Sequence, residues 1–121
     1  MTVFCGLIGT PYVPDCTDCI MFLEDVGING IEMSMHLNKM DLSGMLDSLA
    51  GIVFGQFIDR AERMDEDFAL EDVIVRKLGN RLPCIFGMNF SHGSTSAAIP
   101  LGVDTVMDAE DCSVSFGNPF E

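Results

Sequence analysis

Three short apolar runs separated by stretches of helical period, followed by a segment whose apolar residues alternate, predict an α/β fold. The expected architecture is a small parallel β-α-β-α-β core with a C-terminal antiparallel hairpin. The runs fall at 19–23, 50–57 and 84–90. Between the first two, Met33, Leu37, Met40, Met45 and Leu49 recur at helical spacing, and between the second and third so do Leu70, Val73, Ile74 and Leu78. Strands alternating with helices in this order are parallel and joined by right-handed crossovers.

Residues 1–10 open on apolar positions with no cap or polar lead-in, as the middle of an element would, so the chain is expected to be cut from a longer one. Gly9-Thr10-Pro11-Tyr12-Val13-Pro14-Asp15 is a connector, because each proline biases the residue before it away from helix. Cys19-Ile20-Met21-Phe22-Leu23 reads as a strand buried on both faces, with Glu24 and Asp25 at its carboxyl end. Residues 27–30 form a loop. Gly44 interrupts the helical period of 32–49, which predicts one long helix or two short ones, with the methionines as core filler. In the second strand, Gly51 and Gly55 permit close approach of a helix.

The polar stretch 59–67 leads to a helix with acidic residues at its start and Arg76 and Lys77 near its end, matching the helix dipole, and Gly79 is its C-cap. Arg81-Leu82-Pro83 turns into the third strand. Ile99, Leu101 and Val103, then Val106 and Met107, a turn over 108–111, and Cys112, Val114 and Phe116 at period two make the hairpin or meander that closes a single domain, 1–121.

Nineteen acidic against six basic residues leave a net charge of −13, a field that repels phosphate backbones and anionic headgroups, so nucleic acid and membrane surfaces are not expected partners. No apolar run reaches the roughly 18 to 20 residues that span a bilayer. The first basic residue is Lys39, so no signal-peptide pattern opens the chain, and a cytoplasmic protein is expected. Five cysteines, mostly in apolar segments, suit reduced core thiols. Cys16 and Cys19 form a C-x-x-C, but Cys84, Cys112, His36 and His92 supply no second pair at similar spacing, so neither a metal nor another cofactor is expected.

The stretch best placed for chemistry is Phe90-Ser91-His92-Gly93-Ser94 with the downstream Ile99-Pro100-Leu101-Gly102. A histidine between an apolar strand and a small-residue loop is presented at a sheet edge, and the end of the first strand, with Glu24, lies on that same edge. Taken alone, His92 also reads as a hydrogen-bonded surface residue and Glu24 as a helix cap or turn residue. A thiol hydrolase using Cys84 and His92 is disfavoured, because Cys84 opens the strand that carries His92 beyond its far end.

Leu7-Ile8-Gly9-Thr10-Pro11-Tyr12, Phe22-Leu23-Glu24-Asp25-Val26-Gly27, Ala50-Gly51-Ile52-Val53-Phe54-Gly55 and His92-Gly93 followed by Ile99-Pro100-Leu101-Gly102 resemble, in order, the C-terminal domain of the LD-carboxypeptidases. That family comprises cytoplasmic serine peptidases of murein recycling, with the microcin-immunity peptidases as a branch, and the resemblance spans about residues 5–116. It implies a swivelling β/β/α-like domain that completes a Ser-His-Glu triad, with Glu24 and His92 at the positions of the triad glutamate and histidine. The serine and oxyanion hole would belong to an N-terminal domain absent from these residues, so the chain alone is expected to be inactive. Ser91, Ser94 and Ser96 lack the G-x-S-x-G elbow that would replace that serine.

The implied partners are the missing N-terminal domain, a murein tetrapeptide substrate whose terminal D-alanine is removed, and a second copy in a homodimer. The Glu24 motif is worded more like the carboxypeptidases than the immunity branch. Ile28, Ser34 and Met35 stand where the family usually has an acidic residue and an Asp-Arg pair. The alternatives are an immunity-type peptidase domain and a non-catalytic interaction or dimerisation module of the same fold.

Overall fold

The computed structural model describes residues 1–57, 69–90, 92–93 and 95–120. The polar stretch expected at 59–67, together with Ser91 and Ser94, lies outside the described residues. In chain order the elements are α1 (Thr2–Leu7), β1 (Ile20–Leu23), α2 (Gly30–Leu42), α3 (Met45–Ser48), β2 (Gly51–Gly55), α4 (Leu70–Leu78), β3 (Cys84–Met88), β4 (Thr105–Asp108) and β5 (Ser113–Phe116).

β1, β2 and β3 form a parallel sheet in sequence order, so β2 is central. Ile20 pairs with Gly51 and Leu23 with Phe54, which makes Leu23 and Phe54 neighbours at the carboxyl edge. β4 and β5 form a separate antiparallel pair, with Thr105 opposite Phe116 and Asp108 opposite Ser113. This is the expected parallel core with its closing hairpin.

Side chains alternate across the sheet, as the pleat requires. Met21, Leu23, Ile52 and Phe54 join a large core with Met33, Leu37 and Met40 of α2, Leu46 of α3 and Ile74 of α4. Ile20, Phe22, Val53 and Ile85 face the opposite way, into a smaller cluster with Phe90, Met107 and Val114. Helices therefore cover one face and the hairpin the other. Each fully buried Leu, Ile, Phe or Met contributes roughly 1.5–3 kcal/mol relative to exposure, which places most of the stability on the helical side.

Local chemistry sets the element ends. Asn29 opens α2 with a reciprocal capping box: its side chain accepts from Glu32 N at 2.9 Å, and its own N–H donates to Glu32 Oε2 at 3.0 Å. Gly44, at φ +78°, separates α2 from α3, which resolves the expected helix into two. Gly79 caps α4. Arg81 ties the turn before β3 to the helical layer, donating to Asp41 Oδ1 and to Asp47 Oδ1, both at 2.6 Å.

Four expectations are corrected. β3 stops at Met88 rather than at residue 90, because Gly87 takes φ +72° and the register with β2 slips between Val53 and Gly55. The hairpin starts at Thr105, so Ile99, Leu101 and Val103 lie in the approach, where Gly102 turns the chain at φ +73°. Gly51 and Gly55 do not make room for a helix: Gly51 faces Met107 and the Pro83 carbonyl, and Gly55 faces the Phe90 carbonyl and Glu24. Only Cys5 is a buried thiol, since Cys16 and Cys84 are half-buried and Cys19 and Cys112 are exposed. Among the described residues no helix is long and apolar enough to cross a membrane.

Candidate active site

Glu24 is the first residue past β1, and His92 lies four residues past the end of β3. Because the strands are parallel, both exits fall on the carboxyl edge of the sheet. There the His92 Nδ1 and Glu24 Oε2 are 2.9 Å apart. An ionised carboxylate only accepts hydrogen bonds, so this contact holds the proton on Nδ1 and leaves Nε2 as the ring's basic nitrogen. The imidazole is 68% exposed and the Glu24 carboxylate 29%, an accessible base on a half-buried anchor.

The pair stands above an aromatic footing. Phe22, two residues before Glu24, and Phe90, two residues before His92, meet edge to face at 5.2 Å and 71°, and Phe22 also packs on Phe116 at 5.8 Å. Gly55 lies between the two exits. A Cβ there would sit 2.6 Å from the Phe90 carbonyl oxygen and 3.1 Å from Glu24 Cβ, so only glycine lets the outgoing β3 segment cross the end of β2 this closely.

Asp25 fastens α1 to the same corner. Its Oδ2 accepts from Thr2 N at 2.6 Å and its Oδ1 from Val26 N at 2.9 Å, while the Met1 nitrogen donates to the Glu24 carbonyl at 2.5 Å. Burial pushes the Asp25 carboxyl up, but the hydrogen bonds from Thr2 and Val26 outweigh it and hold Asp25 at about 2. The anchor of α1 is thus an ionised carboxylate throughout the neutral range.

Among the described residues, Glu24 and His92 are brought together, whereas Cys84, Cys16, Cys19 and Leu101 stand apart from them. Cys84 opens β3, about 13 Å of strand from its far end at ~3.3 Å per residue. Burial pushes its thiol up to about 11, the reverse of an activated nucleophile. Cys16 and Cys19 each hydrogen-bond a local carbonyl, that of Pro14 and Thr17 respectively, ahead of β1 and away from the carboxyl edge. Leu101 is exposed in the approach to β4. Sequence reading passed over Gln56 and Asn89, whose side chains join at 2.8 Å beside the pair. The available signal was a polar residue directly after the apolar run of the central strand.

The fold and this corner define a class: an α/β domain with a three-stranded parallel sheet that presents a carboxylate-oriented histidine at its carboxyl edge. Residues 1–107 match the family model described as the LD-carboxypeptidase C-terminal domain, and the chain belongs to that family.

A Synechocystis sp. protein provisionally named a carboxypeptidase is 28% identical over 118 residues, which cover 96% of this chain and 39% of that protein. A Bacillus subtilis protein provisionally named a murein peptide carboxypeptidase is 26% identical over 116 residues, 92% of this chain and 35% of its own length. The chain therefore spans between a third and two-fifths of these curated relatives.

Among solved structures, muramoyltetrapeptide carboxypeptidase from Oxalobacter formigenes superposes with a TM-score of 0.74 at 24% identity, over 84% of this chain and 36% of that one. The microcin C7 self-immunity protein MccF superposes with a TM-score of 0.82 at 21% identity, over 97% and 35%. Both likenesses establish the fold.

Proposed function

We propose that these residues are the C-terminal, Glu/His-bearing domain of a two-domain serine carboxypeptidase that removes the terminal D-alanine from a murein tetrapeptide. The observation that carries this reading is the 2.9 Å contact between His92 Nδ1 and Glu24 Oε2 at an open sheet edge, in a chain of the LD-carboxypeptidase family. The nucleophilic serine and the oxyanion donors would come from an N-terminal domain of the same polypeptide.

In the reaction, Nε2 of His92 takes the serine hydroxyl proton as the oxygen attacks the carbonyl between the L-centre and D-alanine. The imidazolium then gives that proton to the departing amine, leaving an acyl-serine. Water, deprotonated by the same nitrogen, attacks the acyl carbon, and the imidazolium returns that proton to the serine oxygen as the acyl–serine bond breaks and the shortened peptide leaves. Glu24 holds the ring in the Nδ1–H tautomer and stabilises the imidazolium, and it keeps its own charge throughout. Five cysteines, all free, favour a reducing compartment, and we place the protein in the cytoplasm.

The full-length polypeptide should release D-alanine from a muramoyl tetrapeptide. His92→Ala should cut kcat by about 10⁶-fold, and the 121 residues alone should release none. Release that survives His92→Ala would overturn the assignment. A second reading, an immunity-type peptidase, draws on the likeness to MccF, which has been described in complex with aspartyl sulfamoyl adenosine. Offering an aminoacyl sulfamoyl nucleoside beside the tetrapeptide separates the two. A full-length protein that cleaves neither substrate would point to a non-catalytic module.

A further inference from the structure

His92 lies four residues beyond the end of β3 and is largely exposed, so neither strand pairing nor packing holds its ring in place. What restrains it is found at the neighbouring strand end. Gln56 is the first residue past β2, the central strand, every residue of which is buried. The Gln56 side chain donates from Nε2 to Asn89 Oδ1 at 2.8 Å. Its Oε1 lies against Gly93, where an added Cβ would sit 2.6 Å away. Asn89 also closes the turn, its carbonyl accepting from Ala97 N at 2.7 Å. Gln56 therefore contacts this turn three residues before His92 and one residue after it.

We propose that Gln56 is a positioning residue for His92: clamped between Asn89 and Gly93, its amide fixes the His92-bearing turn to the end of the central strand and keeps the imidazole on Glu24. Three adjacent parallel strands thus contribute one side chain each, with Glu24 as the orienter, Gln56 as the latch and His92 as the base. The effect on turnover rests on the catalytic reading of Glu24 and His92; the effect on ring geometry does not.

The test has two readouts. Nitrogen-15 NMR of the 121-residue chain reports which ring nitrogen of neutral His92 carries the proton. Full-length enzyme reports kcat and KM on the tetrapeptide. With the latch intact, Nδ1–H dominates. Gln56→Ala and Asn89→Ala are expected to shift the ring to the mixed tautomers of a free imidazole, and to lower kcat by about 10- to 100-fold with KM changed less than about twofold, as a misplaced base does.

Asn89→Asp retains an acceptor for Gln56 and should stay near wild type. Gly93→Ala pushes only the flexible end of the Gln56 side chain and should match Gln56→Ala. Unchanged tautomer and kcat in both alanine variants would overturn the proposal while leaving the triad standing. A tautomer shift in Gln56→Ala together with D-alanine release unaffected by His92→Ala would uphold the latch and remove the enzyme reading.

Discussion

On the helical side of the sheet, Met33, Leu37, Met40, Leu46, Ile52 and Phe54 are all within 1% of complete burial, whereas on the hairpin side, among the described residues, only Val53, Ile85 and Phe90 are buried and Phe22, Met107 and Val114 stay partly open. The thick side is where a mutation should register as lost stability. The thin side holds Phe22 and Phe90, each two residues from a member of the Glu24–His92 pair, so there a mutation should register as lost geometry. One sheet thus separates what keeps the domain folded from what aligns the site.

The largest expected effect tests that separation directly. Leu37→Ala should cost about 3 kcal/mol in urea unfolding and leave the His92 tautomer untouched, while Val114→Ala across the sheet should cost about 1 kcal/mol. Equal costs would break the comparison. Next comes Gly55→Ala, whose Cβ meets a backbone oxygen that cannot swing aside. It should destabilise by about 2 kcal/mol and part Glu24 from His92 in a crystal structure.

Asp25→Asn comes third and depends on pH. The folded pKa of Asp25 is depressed to about 2 from 3.8, so its contribution is fully present above about pH 4 and disappears as pH falls through 2. The stability gap between wild type and variant should therefore narrow from pH 4 to pH 2, and a gap independent of pH would mean that the carboxylate charge is idle. The smallest effect on folding should come from His92→Ala, below about 0.5 kcal/mol in unfolding free energy, since an exposed pair adds little.

How much of this is legible in the sequence follows from the range of each interaction. The continuous apolar run ending in Leu23, the period from Met33 to Met40 and the break at Gly44 are local signals, and the helices and strands formed where those signals stand. The edge shared by Glu24 and His92 followed from parallel topology, which alternating strands and helices imply. By contrast, a glycine in a strand announces a close approach without saying to what, so Gly55 was matched to a helix and in fact faces Phe90 and Glu24. The Gln56–Asn89 contact joins residues 33 apart, and neither carries a periodic signal. Cys112 follows an acidic turn at φ +49°, and that turn, rather than its apolar neighbours, decides its exposure.

The slip at Gly87 bears on what the domain avoids. β3 is an edge strand, and an unbroken edge invites another chain to add itself and begin an aggregate. With Gly87 at φ +72° and the register shifted between Val53 and Gly55, the outward-facing N–H and C=O groups of β3 lose their even spacing partway along. A strand arriving from another molecule would match only the first residues before falling out of step. The irregularity that ends β3 early, and so frees the chain to carry His92 over to Glu24, also leaves the sheet a poor template for its own kind.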